Sequence, residues 1–244
     1  MTMVEPRRKG DARSPGVNYQ QLLDTDTRPV LDVLRWTNWS FIDDADVPIT
    51  RYTTREFHEL EKEKVWRRVW QMACREEDIP NVGDTCVYDI CDMSILVVRS
   101  AADTIQAYWN VCLHRGRILR EFDGNATELR CPFHGFCWNL DGSLKHVPCE
   151  WDFPHVDAEQ YQLPQIRTGH WGGFIFVNFD DEAPTLEEYM GVIPEHFAQW
   201  DLGDRYVEVH VRKRLPANWK ASADAFLEAY HILCLLYTSD AADE

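Results

Sequence analysis

Between Val69 and Asp180 the chain is built of short runs of β-branched and aromatic residues divided by turn residues. TCVYDI, MSILVVRS, IQAYWNVC and GGFIFVNFD are strand-like, because such side chains fit a pleated, half-buried surface. Within NLDGSL, Asp141-Gly142 predicts a hairpin turn. Together these runs predict a compact antiparallel β domain over about 68–180. On either side the period changes to that of a helix. In ITRYTTREFHELEKEKVWRRVWQ, Thr53 followed three residues later by Glu56 predicts a capping box, with Phe57, Leu60 and Val65 as part of an apolar stripe on a helix over 51–67. TLEEYMGVIPEHFAQW and ANWKASADAFLEAYHIL read as helical. In RYVEVHVRKRL, Val207, Val209 and Val211 alternate with Glu208, His210 and Arg212, which predicts a half-buried strand with His210 on its polar face. Residues 1–50 are expected to form a flexible N-terminal arm, its first part rich in Pro, Gly, Arg and Asp.

Composition narrows the function classes. The 244 residues are 45% hydrophobic, with 10 Trp, 9 Tyr and 11 Phe, enough for a packed core. A net charge of −16 disfavours nucleic acid and anionic membranes as partners and leaves an acidic face for a basic redox partner as one use of the charge. There is no apolar run of about 18 residues and no apolar core in MTMVEPRRKGDARSPG to make a secretory signal. The expected location is therefore the cytoplasm. In that reducing setting the eight cysteines are metal ligands or buried thiols rather than disulfides.

Two of those cysteines stand beside histidines. CLHRG (Cys112, His114) and CPFHG (Cys131, His134) each offer one thiolate and one imidazole from a short loop. The chemistry favours a [2Fe–2S] cluster with Cys112 and Cys131 on one iron and His114 and His134 on the other. Neutral histidine in place of thiolate makes such a cluster less negative and raises its potential. A mononuclear zinc site is the other reading of two Cys and two His, although zinc knuckles more often pair like with like at each end. Cys74, Cys86, Cys91, Cys137 and Cys149 read as structural thiols, and His58, His146, His155, His170 and His196 lack ligand spacing.

CLHRGRIL and CPFHGFCWNLDGSL resemble the two cluster loops of the Rieske domain in ring-hydroxylating oxygenase α subunits. Cys112, His114, Arg115, Gly116, Leu119, Cys131, Pro132, Phe133, His134, Gly135, Asp141 and Gly142 carry the resemblance, with Phe136 where Trp is commoner. Respiratory-chain Rieske proteins have a further cysteine in each loop, where this chain has Arg117 and Phe133. Downstream, NWKASADAFLEAYH is similar to the segment that opens the family's mononuclear iron site, through Asn218, Trp219, Lys220, Asp224, Phe226, Glu228, Tyr230 and His231.

The resemblance implies an α+β protein: an antiparallel β Rieske domain, then from 181 to 233 the start of a helix-grip catalytic domain on which the N-terminal helix packs. It implies His231 as a ligand of a mononuclear Fe(II), and Glu228 as the acidic bridge that carries electrons between subunits. It also implies a ferredoxin or flavin reductase donor, a homotrimer or α/β hetero-oligomer, and oxygenation of a small, often aromatic, substrate with O2. A Rieske ferredoxin without its own catalytic iron is the alternative. The second iron-ligand position is Leu236, and CLLYTSDAADE resembles a translated sequencing adapter, so residues 234–244 are expected to be artefactual and the chain by itself inactive.

Overall fold

The computed structural model describes residues 19–35 and 45–227. A short helix, α1 (Tyr19–Leu23), precedes the helical entry to the β domain. That entry is bent: α2 (Thr50–Thr53) gives way to an extended Thr54, and α3 (Arg55–Glu61) runs on into a π-helical turn over Lys62–Trp66. The cap is Thr54 rather than the expected Thr53. The Thr54 hydroxyl oxygen accepts from the Phe57 N–H at 3.4 Å, whereas the Thr53 hydroxyl donates to the Ile49 carbonyl at 3.1 Å. A cap needs non-helical φ/ψ, and only Thr54 (φ −95°, ψ 146°) has it. Leu60 is 55% exposed, so the stripe does not extend to it.

Among the described residues ten strands follow: β1 (Gln71–Arg75), β2 (Asp84–Ile90), β3 (Met93–Ala101), β4 (Thr104–Trp109), β5 (Gly124–Asn125), β6 (Leu129–Arg130), β7 (Cys137–Trp138), β8 (Leu144–His146), β9 (Gln165–Trp171) and β10 (Phe174–Asn178). Seven of them form an antiparallel sheet in the order β1-β10-β9-β4-β3-β2-β5, and β6-β7-β8 form a small second sheet. Gly172 and Gly173, both at positive φ, turn β9 into β10, so the two glycines of GGFIFVNFD belong to the hairpin and not to the strand. Asp141 and Gly142 lie in the turn between β7 and β8, with Gly142 at φ +81°.

The run ILVV in β3 is continuously apolar because both faces of the strand are covered. Ile95 and Val97 join Ile79, Ile105, Ala107, Ile175 and Val177 in one core. Leu96 and Val98 join Tyr108, Leu119, Leu129, Phe136 and Trp138 in another, lying between the large sheet and the small one. Burial at roughly 25 cal/mol per Å2 of apolar surface makes this second core the main force holding the small sheet in place.

After β10 come α4 (Leu186–Met190), capped by a Thr185–Glu188 capping box, and α5 (Ile193–Phe197), with Gly191 between them. Residues 206–215 contain no strand: Val207, Val209 and Val211 are all exposed, the last at 80%. Alternation makes a strand only where a neighbour supplies the ladder, and no described segment pairs with this one.

α6 (Trp219–Leu227) returns to the N-terminal helix. Glu61, 6% exposed, receives Lys220 Nζ in an ion pair and Trp219 Nε1 at 3.4 Å. Lys220 also sits 5.1 Å from the Phe57 ring and 5.4 Å from that of Tyr52, and Trp66 meets Trp219 edge to face at 5.0 Å. The Asn218 amide donates to the Tyr52 carbonyl at 3.1 Å, and the Tyr52 hydroxyl donates to Asp224 at 3.2 Å.

Removing one partner of a buried ion pair leaves the other charge uncompensated. Glu61→Ala is therefore expected to lower stability by roughly 3 kcal/mol, near the low end for such pairs because Lys220 keeps some solvent contact. Urea unfolding followed by Trp fluorescence checks this, and a change under about 0.5 kcal/mol, typical of a surface site, would contradict it.

Candidate metal centre

The two Cys-His loops have the same backbone plan. In the first, the Cys112 N–H donates to the Arg117 carbonyl at 2.8 Å and the Gly116 N–H returns to the Cys112 carbonyl at 2.9 Å. In the second, the Cys131 N–H donates to the Phe136 carbonyl at 2.8 Å and the Gly135 N–H returns to the Cys131 carbonyl at 3.1 Å. Gly116 (φ +72°) and Gly135 (φ +78°) hold the left-handed position each loop needs. From cysteine to glycine the two loops count alike; only the histidine moves by one residue within the turn. C-x-H and C-x2-H are thus two versions of one loop.

The small sheet presents the second loop, between β6 and β7, and the first follows the end of β4. Both cysteines lie in the second core, each 2% exposed. Burial is the main cause that pushes the Cys112 thiol above its ordinary range. The neighbouring Cys131 thiol raises it further, and the backbone N–H groups of His114 and Arg115 act to lower it. The His114 and His134 rings meet edge to face at 4.9 Å. His114 stacks on Phe136 at 4.7 Å, and His134 stacks on Phe133 at 3.8 Å. Burial, then His134 and Arg115, hold the His114 imidazole below its usual value. Beside the second loop, Lys145 and then Arg130 hold the Glu128 carboxyl down at about 2.

The donor set fits a two-iron cluster. Cys112 and Cys131 lie together in the apolar core, and the His114 and His134 rings lie edge to face. Nδ1 of His114 is buried without a hydrogen-bond partner. A buried ring nitrogen in that state costs desolvation free energy unless something coordinates it, and its position next to His134 is where an iron would relieve that cost. A cavity of about 580 Å3 beside Trp70, Arg167, His170 and Leu186 includes none of the four residues.

Asn110, two residues before Cys112, was not legible as a site residue. It is almost fully buried, and its amide donates to Ser94 Oγ at 3.0 Å and to the Arg120 carbonyl at 2.7 Å, while its oxygen accepts the Arg120 N–H at 3.0 Å. One side chain thereby closes both ends of the first loop. Cys74, Cys86, Cys91, Cys137 and Cys149 are free thiols; His170 lies 3.4 Å from Glu76. Glu228 and His231, with the rest of 228–244, lie outside the described residues.

Asn110→Ala would leave the Arg120 N–H and carbonyl unsatisfied at about 1–3 kcal/mol each. The variant is expected to unfold at lower urea and to retain less iron than the wild type. Equal midpoints and equal iron content would remove Asn110 from the site.

Comparison with known proteins places the chain among relatives. Residues 69–161 match the family model of the Rieske [2Fe-2S] domain. The carnitine monooxygenase oxygenase subunit of Escherichia coli (strain K12) is 31% identical over 189 residues, covering 76% of this chain and 50% of that protein. The chlorobenzene dioxygenase subunit alpha of Cupriavidus sp. (strain PS12) is 32% identical over 187 residues, covering 74% of this chain and 42% of that one. Among solved structures, the quaternary ammonium Rieske monooxygenase CntA in complex with L-carnitine superposes with a TM-score of 0.70 at 27% identity, over 75% of this chain and 53% of that chain. Naphthalene 1,2-dioxygenase from Rhodococcus sp. bound to indole gives 0.68 at 30% identity, over 77% and 45%. The chain spans about half the length of the curated relatives it matches. Residues 69–161 are a Rieske [2Fe-2S] domain, and the chain that carries them is homologous to Rieske oxygenase α subunits, α+β proteins built on the same antiparallel β domain.

Proposed function

We propose that this chain is the electron-accepting part of a Rieske non-haem iron oxygenase, with Cys112 and Cys131 holding one iron of the cluster and His114 and His134 the other. The buried, unpartnered Nδ1 of His114 beside His134 carries the reading. When bound, such a cluster takes up and releases one electron at a time. The protein residues supply its setting. Cys112 and Cys131 provide sulfur in an apolar core, the N–H groups of His114 and Arg115 offset charge on Cys112, and Phe133 and Phe136 fix the two imidazole planes. His134 is exposed, which gives an electron donor an edge to approach.

The alignments of 187 and 189 residues reach well beyond 69–161, and α6 packs on the N-terminal helix through Lys220 and Glu61. Both facts favour an oxygenase subunit over a free-standing Rieske ferredoxin. In the whole protein His231 ligates a mononuclear Fe(II), and Glu228 bridges from the cluster of a neighbouring subunit. The donor is a ferredoxin or flavin reductase, the assembly a homotrimer or α/β oligomer, and the reaction an O2-dependent oxygenation of a small organic molecule. The organisation follows: Rieske domain 68–180, and the start of the catalytic domain over 181–233. No described helix is long and apolar enough to cross a membrane, and the free thiols suit a cytoplasmic setting.

Iron-replete expression of the chain is expected to give about two irons and two acid-labile sulfides per polypeptide, with the EPR signal of a histidine-ligated cluster. His134→Ala should abolish that signal, and His134→Cys should lower the reduction potential by adding a thiolate charge. A wild-type signal in His134→Ala would refute the ligand assignment.

A further inference from the structure

β6 ends one residue before Cys131, and its last side chain turns back over the loop that follows. Arg130 Nη1 donates to the Gly135 carbonyl at 3.2 Å. Its Nε and Nη2 both reach Glu128 Oε1, at 2.8 and 2.7 Å. Lys145, on β8, holds the other Glu128 oxygen at 2.8 Å. The guanidinium is thus oriented by a carboxylate that is itself anchored from the far strand of the small sheet.

The two loops, matched in backbone, differ in this respect. A methyl group placed on Gly116 would meet nothing within 4 Å, whereas one on Gly135 would meet Pro148 at 3.3 Å and Arg130 Nη1 at 3.8 Å. The position before the cysteine is Val111 in the first loop and Arg130 in the second. The first loop is held from within by Asn110; the second is braced from outside by Arg130.

We infer that Arg130 is a positioning residue for the second loop of the metal centre, and that it leaves a positive charge beside that loop which favours the reduced cluster. The inference rests on the ligand assignment above. Arg130 and Lys145 together carry one more charge than Glu128 neutralises. The Arg130 side chain is half exposed, so its ion pair adds little to global stability. Its effect falls instead on the loop carbonyl it holds and on the electron that arrives nearby, where an adjacent positive charge stabilises added negative charge.

The test compares wild type, Arg130→Gln and Arg130→Lys in the chain as it stands, loaded with cluster. Arg130→Gln is expected to lose its visible cluster absorption at least threefold faster in air, with altered EPR g-values. Its redox equilibrium should shift roughly threefold to tenfold toward the oxidised form, about 30 to 60 mV for one electron. Arg130→Lys keeps the charge without the planar fork, so its potential should stay near wild type while its bleaching rate rises. If Arg130→Gln bleaches at the wild-type rate with unchanged g-values and potential, the role is overturned. A wild-type chain that takes up no [2Fe–2S] cluster would instead overturn the ligand assignment, and this role with it.

Discussion

The domain is organised around two cysteine sulfurs brought together inside an apolar core. Cys112 and Cys131 come from loops on different sheets, and they meet because Leu96, Val98, Leu119, Leu129, Phe136 and Trp138 draw the small sheet down onto the large one. The small sheet has only two- and three-residue strands, too few ladder bonds to persist alone. Its position is set by burial and its function by position. The same packing that excludes water from the sulfurs strips the hydrogen-bond partner from His114 Nδ1, so the core and the metal centre are one construction.

Within that construction the loops are specified to different depths by local sequence. The loop plan needs a cysteine, a glycine able to take positive φ four residues on, and a histidine between them, all within five residues. Such short-range requirements leave a plain mark in the sequence, so the two loops can be recognised from the sequence by themselves. Asn110 leaves no such mark, since an amide at the end of an apolar strand does not announce which backbone groups it will satisfy. Arg130 is equally silent, because its partners Glu128, Gly135 and Lys145 are chosen by the pairing of β6, β7 and β8.

The secondary structure shows the same division. β3 was readable because a strand covered on both faces is apolar throughout, and β9 was not, because Arg167, Thr168, Gly169 and His170 break its pattern. Glu56 favours Thr53 as the cap by sequence, yet the backbone leaves the helix at Thr54. The alternation from Val207 to Val211 is a valid strand pattern whose ladder partner is not among the described residues. Pattern reports what a segment is able to do, and the neighbouring segment decides whether it does it.

The clasp between Glu61 and Lys220 joins residues 159 positions apart, with the whole β domain lying between them. In topological terms the Rieske domain is an insertion: the segments before and after it pack on each other and fasten its two ends. On a ribosome adding about 5–20 residues per second, the N-terminal helix emerges roughly ten to thirty seconds before the lysine that neutralises its buried glutamate. The inserted domain has all its strands available first, and its closed ends then deliver α6 to a helix already waiting for it.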